Sequence, residues 1–140
     1  MAIKIKHTLN AQDFSAVFRF LSERSYWSKG ISKKCLRFAC DNSLCFVLTE
    51  NNTLRAFARV VTDQATFANL LDVFVLEEYR GLSYGKQLIT AVMTDARLQG
   101  LRRFTLATKD AHDLYQKYDF SEPVFPEGMM EIYKPNIYIE

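Results

Sequence analysis

The spacing of apolar positions changes several times along the chain, and each change predicts an element. Ile3 and Ile5 alternate with Lys4 and Lys6, the two-residue period of a strand over residues 3 to 9. Asn10 then serves as a helix N-cap with Asp13 in the first turn, and Phe14, Val17, Phe18 and Leu21 recur at helical spacing as far as Arg24. Tyr26 to Gly30 reads as a loop, and Ser32 caps a second, short helix through Ala39. A meander follows. Leu44 to Thr49 and Leu54 to Val61 are strand-like runs separated by the turn signal Asn51-Asn52, and Asp63-Gln64 marks a second reversal. Phe67 to Leu76 is nearly all apolar, as expected of a central strand buried on both faces, although Asp72 is embedded in it. From Gly85 the stripe Leu88, Ile89, Val92, Met93, Ala96 predicts a helix with Gly100 as its C-terminal cap. A strand over Phe104 to Thr108, a short helix from Asp110 to Tyr118 and a last strand over Met129 to Tyr133 complete the series. The order β-α-α-β-β-β-α-β-α-β predicts one mixed α/β domain over residues 1–140.

Composition narrows the class. A chain of 140 residues with 49% hydrophobic content, eleven Phe and seven Tyr can build a core without staples. Eighteen basic against sixteen acidic residues leave a net charge of +2, with no long run of one sign, so no nucleic-acid partner is expected. Cys35, Cys40 and Cys45 lie five apart with no CxxC pair, which predicts neither a disulfide framework nor a metal site, but buried, inert thiols. No stretch approaches the length of a membrane span and the N-terminus lacks a signal-like apolar segment, so the expected setting is cytoplasmic, with no membrane.

The chemistry concentrates between Val73 and Lys86. A buried strand runs into a loop holding Arg80, Gly81, Leu82, Ser83 and Tyr84, and the loop opens a helix at Gly85 and Lys86. Amides at a helix start have no internal acceptor and carry the positive end of the helix dipole, and glycine allows a ligand close approach. The arrangement suits a phosphate or pyrophosphate. The segment is neither the Gly-Lys-Ser/Thr loop that holds nucleoside triphosphates nor the G-x-G-x-x-G loop of dinucleotide folds.

Arg80-Gly81-Leu82-Ser83-Tyr84-Gly85, preceded by Val73-Phe74-Val75, resembles the acetyl-CoA loop of the GNAT N-acetyltransferases, Arg/Gln-x-x-Gly-x-Gly/Ala. Leu114-Tyr115-Gln116-Lys117-Tyr118-Asp119-Phe120 resembles that family's second signature, Leu-Tyr-x-x-x-Gly-Phe, and Tyr115 follows Arg80 by 35 positions, the usual separation. Ser83 and Asp119 stand where the family usually has glycine.

The resemblance implies a mixed, mostly antiparallel sheet flanked by helices, and acetyl transfer from acetyl-CoA to a primary amine by direct attack in a ternary complex. The acceptor, a small molecule or a protein, stays unidentified. In this pattern Val73, Phe74 and Val75 offer main-chain groups to the pantetheine arm and hold the oxyanion, while Arg80 to Lys86 grip the pyrophosphate. Thr108 touches the cosubstrate. Tyr115 is the candidate general acid for the departing thiolate, whereas Tyr118, one turn on, reads as core. Asp72 is the first candidate base, against the plainer reading of a carboxylate bonded to an amide or an arginine; its side chain is expected on the face opposite Val73. His112 is a weaker candidate. Tyr26 and Trp27 border the acceptor site, with core packing open for Trp27. A non-catalytic acyl-CoA sensor is the alternative, and homodimer formation is left open.

Overall fold

The computed structural model describes residues 2–139. Five strands form a sheet in the order β1-β2-β3-β4-β5: β1 (Ile3–Lys6), β2 (Leu44–Glu50), β3 (Thr53–Thr62), β4 (Phe67–Val75) and β5 (Arg103–Leu106). The first four are antiparallel neighbours, and β5 lies parallel to β4. A parallel neighbour needs a crossover, supplied here by helix α3 (Tyr84–Thr94). Helices α1 (Ala11–Arg19), α2 (Lys33–Asp41) and α4 (His112–Gln116) complete the set.

Local chemistry sets these boundaries. Asn10 caps α1, accepting from the Asp13 amide at 2.8 Å while the Asp13 carboxylate accepts from the Asn10 amide at 3.1 Å. The helix does not stop at its α-helical end but widens into a π turn, Phe20–Arg24, in which Ser25 N donates to Phe20 O at 3.0 Å. Ser32 caps α2 through the Cys35 amide. Asn51 and Asn52 turn the β2–β3 hairpin with φ of 54° and 64°, a geometry asparagine tolerates.

Two cores sandwich the sheet. Phe46, Leu48, Ala56, Ala58, Val60 and Leu70 pack against Leu88, Ile89 and Val92 of α3 and against Tyr115. On the opposite face Val47, Phe57 and Phe74 pack against Val17, Leu21 and Leu36 of the N-terminal helices. Successive residues of β2 face opposite cores, the two-residue strand period, so the strand is buried along nearly its whole length.

Three expectations need correction. Gly100 does not cap α3: Asp95 turns extended (ψ 130°) and ends the helix at Thr94, then caps a 3-10 turn over Ala96–Leu98 by accepting from the Arg97 amide at 2.8 Å. Met129 to Tyr133 is not a strand; from Ser121 onward the described chain holds a single 3-10 turn, Pro126–Gly128, and otherwise runs irregularly. Cys35 is exposed, because it lies on the outer side of α2, whereas Cys40 and Cys45 are buried as expected.

Candidate active site

The two parallel strands, β4 and the edge strand β5, stay paired along only the first part of β4. Pairing between β4 and β5 runs from Phe67↔Arg103 to Leu70↔Leu106 and ends there. Beyond it, Leu71 to Val75 continue along β3 alone, reaching Ala56↔Val75. A bulge accounts for the divergence. Between the pairs Arg59↔Leu71 and Phe57↔Phe74, β4 has one residue more than β3, and Asp72 adopts φ 54°. An extra residue bends a strand and increases its twist, which turns the end of β4 away from β5 and leaves one of its edges open. Val73 and Val75 pack toward α3, and Phe74 packs toward the N-terminal helices.

The open edge leads into the loop before α3. Arg80 Nε donates to the Val75 carbonyl at 3.1 Å, so Arg80 is tied to the strand rather than to Glu77, which pairs with Arg24 at 2.8 Å. Gly81 and Ser83 have φ of 81° and 64°. The first helical bond of α3 runs from Gln87 N to Ser83 O at 3.1 Å, which leaves the amides of Tyr84, Gly85 and Lys86 without helical acceptors. Asn10 and Ser32 cap the other long helices, but no side chain caps this one.

Gly85 is informative for what it does not need. Its φ is not left-handed, and an added Cβ would meet only Val75 Cγ2 at 3.5 Å, an ordinary contact. Neither backbone conformation nor internal packing requires glycine there. The helix start is braced from beneath by the buried Tyr84, whose hydroxyl donates to Glu50 at the end of β2. Arg55 stacks on Tyr79 with its guanidinium carbon 3.9 Å from the ring centroid, beside the same loop.

Tyr115 is 7% exposed, packed edge-on against Phe120, and lines a cavity of about 850 Å³ between β5, α4 and residues 121–129. Burial alone pushes its phenol up to about 12. Thr108 and His112 line the same cavity, and the Thr108 hydroxyl accepts from the Ala111 amide at 3.0 Å, closing the turn into α4. Tyr118 is committed elsewhere: its hydroxyl lies 2.9 Å from Thr90 Oγ1 and donates to the Lys86 carbonyl at 3.1 Å. Asp119 has φ 73°, so the position where a glycine was expected is indeed left-handed; the same holds for Ser83.

Across the sheet, Asp72 meets the acceptor-side loop. Its Oδ1 accepts from Trp27 Nε1 and its Oδ2 from Arg59 Nε, both at 2.8 Å. This is the pairing that a nearly buried carboxylate requires, so its embedding in β4 has a structural explanation in Arg59. Tyr26 packs edge-on against Trp27 with centroids 5.1 Å apart, Phe20 stacks on Phe74 at 4.0 Å, and Lys109 Nζ lies 5.3 Å from the Tyr26 ring. Ser25 holds the loop by donating to Leu21 O at 2.6 Å and accepting from Ser28 N at 3.0 Å.

Sequence reasoning missed Arg59, Lys109 and Ser25. Arg59 carried a usable signal: it interrupts the apolar run of β3 as Asp72 interrupts that of β4, and two unexplained opposite charges in neighbouring strands call for each other.

A sheet split between parallel strands, with an uncapped helix start at the mouth of the split, is the framework of an acyl-group transferase. The chain belongs to the acetyltransferase (GNAT) family, whose model matches residues 16–120, and the protein is an acetyltransferase. A crystal structure of a Xanthomonas campestris pv. campestris protein described as belonging to that family is 45% identical, with a TM-score of 0.96 over 100% of this chain and 99% of that one. The fold is also shared with a Trypanosoma brucei acetyltransferase (19% identity, TM-score 0.70, 95% and 100% covered). Glucosamine-6-phosphate N-acetyltransferase from Arabidopsis thaliana shares it too (15%, 0.66, 96% and 98%). The curated proteins contain no match to the chain. Among the described residues no helix is long and apolar enough to cross a membrane.

Proposed function

We propose that the enzyme acetylates a primary amine, on a small molecule or a protein, with acetyl-CoA as donor and both substrates bound together. The observation that carries this reading is the uncapped start of α3 beside the open edge of β4. The residues present fit the donor. Amides from Gly81 to Lys86 offer a diphosphate hydrogen-bond donors, Lys86 adds charge, and Gly85 keeps a space that the protein itself has no use for. Bound acetyl-CoA supplies the activated acyl group. The edge of β4 from Val73 to Val75 that β5 leaves open offers main-chain groups that can hold a thioester carbonyl and the negative charge developing on it.

Tyr115 keeps its proton throughout the physiological range, because burial moves its titration to about 12. From the wall of the cavity it lines, its hydroxyl is the proposed donor to the leaving sulfur. Thr108 serves the same cavity wall. Asp72 works on the acceptor side: Arg59 fixes it, it fixes Trp27, and its two remaining lone-pair positions can receive the amine's proton. Tyr26 and Trp27 form an aromatic wall suited to a cationic amine before it is deprotonated. A cytoplasmic setting accords with the unbridged Cys35, Cys40 and Cys45.

The test is Tyr115→Phe, assayed by thiol release from acetyl-CoA with a panel of amines. Turnover is expected to fall roughly 10- to 1,000-fold, with acetyl-CoA affinity within about twofold of wild type. Equal loss of affinity and turnover would assign Tyr115 to binding instead. Wild type that binds acetyl-CoA yet releases no thiol with any amine would count against amine acetylation.

A further inference from the structure

We propose that Tyr118 is a positioning residue: its hydroxyl pins α4 to the first turns of α3 and so holds Tyr115 at a set place relative to the diphosphate site. The inference rests on the reading of Tyr115 as proton donor and of the α3 start as that site. The two groups belong to separate elements, one following β4 and the other following β5. Pairing between those strands ends at Leu70↔Leu106, so the sheet does not set the spacing of what comes after them.

Tyr118 spans the gap. It donates to the Lys86 carbonyl at 3.1 Å, and its oxygen lies 2.9 Å from Thr90 Oγ1. With the phenol proton on Lys86, the threonine is the donor of the second bond, and the hydroxyl is bonded in both its roles. Lys86 and Thr90 lie one turn apart in α3, a helix anchored by the fully buried Leu88, Ile89 and Val92. At its other end Tyr118 is joined to Tyr115 through the main chain. Its amide donates to the Tyr115 carbonyl at 2.9 Å, and the Phe120 amide donates to the same oxygen at 3.2 Å.

Such a tie is needed because α4 is five residues long and has no side-chain cap at its start. A helix that short does not hold its own shape, so a bond from outside decides where Tyr115 sits. The anchor lies on Lys86, in the turn whose amides are left for the diphosphate. That choice has a chemical sense. The diphosphate and the sulfur of acetyl-CoA are joined by a chain of fixed covalent length, so a proton donor referenced to the diphosphate turn keeps step with the sulfur. Packing alone does not call for the hydroxyl: Tyr118 is a partly buried ring against the α3-side core, and phenylalanine would fill that space as well.

Tyr118→Phe removes the hydroxyl and keeps the ring; it is compared with wild type, Tyr115→Phe and the double variant. The assay is thiol release from acetyl-CoA, with the fastest of tyramine, hexylamine, lysine amide and water as acceptor. Tyr118→Phe is expected to lower kcat about 10-fold, with KM for acetyl-CoA within about threefold of wild type. In the Tyr115→Phe background the same change should cost less than about twofold, because misplacing a donor matters only where the donor exists. In the free protein, hydrogen exchange at the amides of Tyr118 and Phe120 should quicken at least about 5-fold. Wild-type kcat in Tyr118→Phe, or a rise in KM alone, overturns the proposal. So do losses that multiply in the double variant, the mark of a general structural role, or α4 amides that exchange as in wild type. Should Tyr118→Phe melt below the assay temperature, Thr90→Val takes one partner from the same hydroxyl and repeats the cycle, with about threefold in kcat expected and the same outcomes deciding. A Tyr115→Phe enzyme with wild-type turnover is a separate result: it overturns the proton-donor reading, and this proposal with it, whatever Tyr118→Phe shows.

Discussion

Gly85→Ala separates the two demands on the loop before α3, because stability and affinity should move in opposite directions. The added methyl group meets only Val75 Cγ2, at 3.5 Å, so the folded protein accepts it without displacement. Gly85 lies in the first turn of α3 with ordinary helical backbone, so alanine lowers the conformational freedom of the unfolded chain without cost to the native one. The gain is about 0.5–1 kcal/mol, which for a domain of this size raises Tm by roughly 2–4 °C. The methyl also occupies the space the proposal gives to the diphosphate. Displacing one charge-assisted bond from an amide costs about 1.5–3 kcal/mol, so Kd for CoA should rise roughly 10- to 150-fold. Calorimetric titration with CoA and a thermal melt of the free protein measure both. Unchanged affinity would refute the assignment of the loop; a lowered Tm would refute the claim that the space is empty of protein.

Ser83 sits left-handed and caps nothing with its side chain, so Ser83→Gly should stabilise the protein by about 0.5–1 kcal/mol in a chemical melt without weakening CoA binding. Tyr84→Phe removes the donor to the buried Glu50 carboxylate; a loss of about 1–3 kcal/mol is expected, together with weaker CoA binding as the start of α3 loosens. The Tyr115 phenol is raised from 10 to about 12, so the folded state favours its protonated form. Its contribution is complete below pH 10, where the unfolded phenol also keeps its proton, and is lost as pH rises from 10 through 12. That amounts to on the order of 2–3 kcal/mol, read as the difference between wild type and Tyr115→Phe in melts at pH 9 and pH 12.

Most elements were legible from periodicity, because the sheet's two cores impose opposite faces on alternate residues of β2 and β3 and a stripe on α3. The failures share a cause: signals that are local in sequence but decided by distant partners. Met129 to Tyr133 has strand chemistry, but a strand requires a neighbouring strand, and this segment pairs with none of the five. Gly100 suits a helix end, but Asp95 ends α3 first. The partner that Asp72 needs, Arg59, lies 13 residues away on the adjacent strand and was not named from the sequence. The glycine-containing loop and the tyrosine of α4 stood out because their motifs are contiguous, whereas the splitting of β4 from β5 depends on a single bulge residue that no composition rule flags.

The hydrogen bond from Trp27 to the bulge in β4 makes the molecule's single indole a native optical reporter. It connects the wall where the amine is proposed to bind with the strand proposed to hold the thioester, and Phe20 stacked on Phe74 stiffens that link. A disturbance on either side therefore reaches the same fluorophore, and the arrival of each substrate can be followed in unlabelled protein.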